Sequence, residues 1–332
     1  MKRNAATVEN SAVIGHEQNL ELLSRAFSRG RLAHAYLFVG PAQVGKMAAA
    51  RRIAELVLGP GTPLDRHPDF RVVERGRDPK TDKLRADIVL DQVHALRGWL
   101  ALGALAGEWK VVIIDGAELL NKEAGNALLK SLEEPKDRTL IILLAVSAEA
   151  VAPTVRSRCQ LAVFGRVPAE AIAGHLRGLG CETGRAELLA RLAAGSPGKA
   201  IEFWREPAAL DALLERRERL LRLASAGAAE RWRLLESLVP ERLPFNEAAA
   251  EGHKVLDLLT EILRDVLLVA SGQEQKIVHA DALEALAAWS GSLQTAGAVR
   301  ALEAAVAARR QIDENIGLRG VWGSLALSFD LA

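Results

Sequence analysis

Short, unbroken apolar runs alternate with segments of helical periodicity over the first half of the chain. Ala35–Val39, Phe70–Val73, Val111–Asp115, Leu140–Val146 and Leu161–Phe164 read as strands. Their alternation with helix-like stretches predicts a parallel sheet covered by helices. Val111-Val112-Ile113-Ile114 and Leu140-Ile141-Ile142-Leu143-Leu144 are apolar without a period of two. That pattern belongs to strands buried on both faces, so both are expected mid-sheet. After Phe164 the strand signals fade, and Pro168, Gly178–Gly180 and Gly195-Ser196-Pro197-Gly198 punctuate short helical patterns suited to a small lid. From about Pro207 onward, Leu210–Ala224, Glu251–Ala270 and Ala298–Asn315 carry helical periodicity, with turns at Pro240, Pro244 and Ser271-Gly272. The expected layout is α/β plus all-α: a parallel-sheet domain over 1–165, a helical lid over 166–207 and a separate helical domain over 208–332. No internal repeat is present, which argues against a solenoid.

Composition sharpens this picture in a few places. The 332 residues suit two or three domains, at roughly 100–200 residues each. Ala, Leu, Arg and Glu dominate while aromatics make up 4%, which favours helices, because straight-chain residues lose little rotamer freedom there. With a formal charge of +1, any contact with DNA must come from a local patch. Helix faces bearing Lys130 and Lys136 are candidates for such a patch, with an ordinary solvated face as the plainer reading. Met1-Lys2-Arg3-Asn4 is not followed by an apolar segment, and nowhere does an apolar stretch reach the length of about eighteen residues that a membrane helix needs. A cytoplasmic protein with no membrane association is expected. Cys159 and Cys181 are the only cysteines, too few for a disulfide framework or a four-thiolate zinc site, so both are expected as reduced thiols and no structural metal is expected.

The first chemical signal is a phosphate loop. The strand Ala35–Val39 runs directly into Gly40-Pro41-Ala42-Gln43-Val44-Gly45-Lys46, and Met47–Ala54 is helical in pattern. Glycines let backbone N–H groups turn inward around phosphate oxygens, the helix N-terminus adds its dipole, and Lys46 adds a point charge. The bland alternative is a glycine turn with a surface lysine, and the flanking strand and helix favour the phosphate loop over it. Its next position should offer a hydroxyl to Mg²⁺, yet it is Met47, a soft thioether that a hard cation does not use. A second element is Asp115, at the tip of the strand Val111–Ile114, placed like a Mg²⁺-holding carboxylate. The water-orienting glutamate that should follow is replaced by Gly116, and Glu118 lies three residues from Asp115 on a different trajectory. In a plainer reading, Asp115 caps the helix near Asn121–Leu132. ATP or ADP held without hydrolysis at Lys46, and a pocket that holds neither, both stay open; turnover by this chain itself should be very low or absent.

A third signal is Pro153-Thr154-Val155-Arg156-Ser157-Arg158-Cys159-Gln160. Together with Ile14-Gly15-His16, His34-Ala35-Tyr36-Leu37-Phe38, His67-Pro68-Asp69, Asn126-Ala127-Leu128-Leu129-Lys130-Ser131-Leu132-Glu133-Glu134-Pro135 and Gly195-Ser196-Pro197-Gly198-Lys199-Ala200, it resembles the delta-prime-type subunits of bacterial DNA polymerase III clamp loaders. Leu263-Arg264-Asp265-Val266-Leu267 and the Asn315–Leu327 segment extend the resemblance towards the C-terminus. It implies an AAA+ P-loop domain, a helical lid and a C-terminal helical collar. It also implies gamma/tau and delta subunits as partners in a hetero-pentameric ring that opens a sliding clamp and places it on primer-template DNA. By the same resemblance, the Ser157-Arg158-Cys159 motif offers Arg158 in trans to ATP on a neighbouring gamma-type subunit, Gly198 stands where related ATPases carry a nucleotide-sensing arginine, and no cofactor of its own is required. The family's four-cysteine zinc module is not carried over, since Gly59–Arg66 holds no cysteine. Cys159 is expected to pack as a small hydrophobe, and His67 to serve a turn. Two other readings remain: an active gamma/tau-type ATPase motor, which would need Ser or Thr at 47 and Glu at 116, and an AAA+ adaptor outside replication.

Overall fold

A computed structural model of the chain describes residues 13–78, 82–240 and 242–329, so Met1–Asn4 lies outside the described residues. In chain order the elements are α1 (Glu17–Ser28), β1 (Ala35–Val39), α2 (Lys46–Leu58), β2 (Phe70–Val73), α3 (Leu90–Ala101), β3 (Lys110–Asp115), α4 (Lys122–Glu133), β4 (Thr139–Ala145), α5 (Pro153–Arg156), β5 (Gln160–Val163), α6 (Ala169–Gly178), α7 (Thr183–Leu192) and α8 (Pro197–Arg205). They are followed by α9 (Pro207–Leu221), α10 (Ala228–Ser237), α11 (Phe245–Ala270), α12 (Leu283–Asp313) and α13 (Leu318–Ser328). The chain divides into two compact units, Met1–Ile201 and Glu202–Ala332. The helices of the expected lid are α6 and α7, inside the first unit, and α8, across which the division falls.

The first unit holds a sheet in the order β2-β3-β4-β1-β5, every pairing parallel. This is the helix-covered parallel sheet that the sequence predicts. β3 and β4 are interior, and their apolar residues are almost wholly buried, as runs without alternation require. One face of the sheet, with Leu37, Val112, Ile114, Ile141 and Leu143, packs on Leu96 and Trp99 of α3 and Leu128 and Leu132 of α4. Burying each such side chain contributes roughly 1.5–3 kcal/mol. Phe164, one residue past β5, is fully buried and donates its N–H to the Val39 carbonyl at 2.7 Å, so the strand signal outlasts the strand.

The second unit is all helix. α11 and α12 carry its core: Leu256, Leu259, Leu263, Val266, Leu286 and Trp289, joined by Trp322 of α13. α12 is broken at Gln294, where φ is 53°. Asp265, fully buried in α11, accepts hydrogen bonds from the N–H groups of Val278 and His279 at 2.9 and 2.8 Å, which anchors the chain leading into α12. Among the described residues no helix is long and apolar enough to cross a membrane.

Candidate functional site

β1 delivers the glycine loop 40–46, the candidate phosphate loop, to the C-terminal edge of the sheet, the crevice where open α/β sheets place ligands. All five β1 residues are buried, clamped between β4 (Val39 opposite Ala145) and β5 (Val39 opposite Val163). Gly40 has φ 154°, and a Cβ there would lie 2.0 Å from the Phe164 carbonyl oxygen, so no other residue fits. The loop is then pinned three times from within its own unit. The Val44 carbonyl bonds the ring of buried His16 at 2.9 Å, and that ring stands edge-on to Phe164. The Gln43 carbonyl, on a residue held at φ 57°, accepts from the N–H of Gly198 at 2.9 Å. A Cβ at Gly198 would come within 3.0 Å of that same oxygen, so the absent side chain is what lets the start of α8 close on the loop.

The third pin is Lys46 itself. Its Nζ donates to the carbonyls of Gly40 and Pro41 at 2.5 and 2.7 Å, spending two of its three donors on its own loop. Burial holds its pKa below the usual lysine range, against the opposing pull of Glu118 and Asp115. Pro41, Ala42 and Gln43 form the outward tip; Gly45, at φ 116°, caps α2, and Met47 is the helix's second residue.

Asp115 ends β3 level with Leu144 of β4, beside this loop. Its surface is largely open, yet enough protein surrounds the carboxyl that desolvation, helped by Glu74, pushes its pKa up against the pull of Lys46 and Arg75. It does not cap α4: Asn121 does, its side chain accepting from the Ala124 N–H at 2.8 Å. Gly116 has φ 85°, and a Cβ there would sit 2.7 Å from Leu119 Cδ1, so a glutamate at this position would strain the backbone and push the Leu119 side chain aside. Glu118 lies three residues beyond Asp115, off the strand. A tight turn over Ala117–Leu119 folds it back into electrostatic reach of Lys46 and Asp115. Its Oε2 is buried without a hydrogen-bond partner, and burial, the largest influence, raises its pKa. The sequence signal for this was slight: a left-handed glycine directly after a strand, which turns the chain back.

Arg158 lies elsewhere. β5 runs parallel to β1 with Gln160 opposite Tyr36, so Arg158 precedes the level of Tyr36 while the loop 40–46 starts beyond Val39. Four rises of ~3.3 Å separate those levels by about 13 Å along the sheet, and Arg158 is directed further from the loop, towards the end of α4. There it forms an ion pair with Glu133, and Nη1 donates to the Thr154 carbonyl at 2.8 Å and to Ser157 Oγ at 3.3 Å. Ser157 terminates α5, its hydroxyl donating to the same Thr154 carbonyl at 3.2 Å. The Arg158 side chain is 35% exposed. It can serve a partner at this edge; it cannot reach its own chain's loop.

Cys159 donates its thiol to the Val155 carbonyl at 3.4 Å, and burial pushes its pKa up to about 11, so it packs and does not act as a nucleophile. His67 follows a short turn and accepts from the Asp69 N–H at 3.2 Å. Lys130 is exposed, and Lys136 donates to the Ala101 carbonyl at 2.5 Å. Among the described residues no group of three or more His, Cys, Asp and Glu side chains is placed to hold a metal ion.

The family described as "DNA polymerase III, delta subunit" matches residues 15–168. DNA polymerase III subunit delta' of Bacillus subtilis (strain 168) is 26% identical over 314 residues, covering 93% of this chain and 94% of that protein. DNA polymerase III subunit delta' of Pseudomonas aeruginosa is 36% identical over 157 residues, covering 42% of this chain and 45% of that protein. DNA polymerase III subunit tau of Escherichia coli (strain K12) is 30% identical over 271 residues, covering 76% of this chain and 42% of that protein.

Proposed function

The chain is a subunit of the DNA polymerase III clamp-loader family, related to the delta-prime and gamma/tau subunits, and from that premise we propose that it is of the delta-prime type: it turns over no ATP itself and donates Arg158 to ATP held by a neighbouring gamma/tau-type subunit. The observation that carries this reading is the position of Arg158, partly exposed at the sheet end remote from its own phosphate loop. A guanidinium there meets phosphate only if another subunit brings it. Set against transferring phosphoryl oxygens, such a group accelerates hydrolysis by about 10³–10⁵, because it stabilises charge that develops in the transition state.

The chain's own loop does not fit a nucleotide poised for hydrolysis. Met47 offers no hard oxygen to Mg²⁺, Gly116 leaves no base in line, and Lys46 is committed to the carbonyls of Gly40 and Pro41. The start of α8, bonded to Gln43, adds a further restraint. Partners in this reading are gamma/tau and delta subunits, the sliding clamp, and primer-template DNA reached through the assembly, so the protein acts in replication by completing a ring.

One feature favours the gamma-type motor as a second reading: Glu118, a carboxylate near Lys46 and Asp115. ATP turnover separates the two. The isolated chain, the complex with gamma-type partners, clamp and primed DNA, and that complex with Arg158→Ala are compared. The proposal expects no turnover by the chain alone and a slower complex with Arg158→Ala at unchanged assembly. Turnover by the isolated chain that Glu118→Gln abolishes would instead establish the motor.

A further inference from the structure

Resting on the reading of Arg158 as a finger, we propose that Glu133 is its parking partner: an in-chain counter-ion that holds the guanidinium until a neighbour's phosphates displace it. Glu133 is the last residue of α4, where the helix's unpaired carbonyls already make a carboxylate unfavourable. A cation beside it offsets that penalty, and Arg158 supplies one.

The contacts divide the guanidinium in two. Nη1 is held by the Thr154 carbonyl and touches Ser157 Oγ, both on the α5 turn from which Arg158 itself emerges. Only Nη2 is tied to a different element, through Glu133. Releasing Nη2 therefore frees the charge without unmaking the turn that aims it. The pair is 35% and 47% exposed, and a pair of that kind biases an equilibrium by about one and a half to fivefold. That is enough to bias the finger towards Glu133 in the free subunit. It is too little to resist a polyphosphate, which presents more charge and a better match to the guanidinium fork than one carboxylate. Glu133 thus tunes how readily ATP on the neighbour engages Arg158.

Two measurements test this, on chains carrying Glu133→Gln, Arg158→Ala or both. In the free chain, phenylglyoxal labelling of Arg158, followed by peptide mass spectrometry, is expected to speed up in Glu133→Gln. Within the full clamp-loader complex, Glu133→Gln is expected to raise kcat/KM for ATP by about one and a half to fivefold. The gain should shrink as added salt screens the native pair and be absent in the Arg158→Ala background. Unchanged labelling overturns the parking contact. A fall in kcat/KM, no change, or an equal rise without Arg158 overturns its role in turnover. Indifference of the complex to Arg158→Ala alone, with Glu133 intact, is a separate result and removes the finger reading itself.

Discussion

Lys46→Met separates a lysine that clasps its own loop from one kept for a nucleotide. In the first case the side chain stabilises the fold; in the second its loss leaves the fold intact and removes nucleotide affinity. The structure gives Lys46 two charge-assisted hydrogen bonds, at 2.5 and 2.7 Å, to the carbonyls of Gly40 and Pro41. Each such bond has a net value of about 1.5–3 kcal/mol when fully formed, but half-burial also penalises the charge, which is why its pKa is lowered. Methionine keeps the apolar stem and helix propensity, so the net loss is set at about 1–3 kcal/mol. For a unit of roughly two hundred residues this lowers the melting midpoint by about 3–10 °C. The alkaline limb adds a signed check. A lysine whose folded pKa lies below 10.5 is neutral in the fold before it is neutral in the unfolded chain. It therefore makes stability rise with pH between those two values, and Lys46→Met should flatten that rise. Calorimetric scans with and without Mg-ATP provide the assay. A variant as stable as the native chain, combined with a native midpoint that ATP raises and the variant's does not, would refute the clasp.

Further outcomes follow from other sites. Asp69, fully buried, accepts from the N–H of Leu105 at 2.9 and 3.0 Å and of Ala106 at 2.7 Å and supports the charge of Lys110; Asp69→Ala should cost about 3–5 kcal/mol in urea unfolding, and a loss under 1 kcal/mol would contradict that role. Cys159, with its pKa near 11, should be ~0.1% thiolate at about pH 8, so native-state alkylation should run at least ~100-fold slower than for a free thiol; rapid labelling by mass spectrometry would show an activated cysteine instead. Glu118, whose pKa burial raises, is penalised when ionised in the fold, a penalty fully present at neutral pH and lost as pH falls through the folded value to the unfolded one. Glu118→Gln should accordingly raise the melting midpoint near pH 7 and lose that advantage below about pH 4; a destabilised variant at pH 7 would mean that the carboxylate is needed where it sits.

Most of the sheet was legible because its strands announce themselves by burial. β1 and β2 match their sequence ranges, and β3, β4 and β5 differ by a residue at one or both ends, since hydrophobicity reports burial and strand ends report hydrogen bonding. α3 left a weaker trace: Val93, Leu96, Trp99 and Leu100 are its buried positions, but Gly98 and the polar residues between them blur the stripe. The long helices were read short. α12 begins at Leu283 and breaks at Gln294, within an alanine- and glycine-rich stretch whose periodicity is faint. At the site, the loop 40–46, Asp115 and Arg158 were all visible as motifs. What no motif records is distance: that Glu118 folds back towards Lys46, that Gly198 bonds Gln43, and that Arg158 is paired with Glu133 at the opposite end of the sheet. Those depend on the parallel register of β5 on β1 and on turns set by single glycines.

The most direct test of Arg158 as a finger in trans is single-turnover ATP hydrolysis by the reconstituted complex on clamp and primed DNA, native against Arg158→Ala. A finger at one subunit boundary predicts that the neighbour's site drops out of the fast phase, slowed by about 10³–10⁵, while the complex still assembles and the remaining sites still fire. An unchanged fast phase in a fully assembled Arg158→Ala complex would contradict the account.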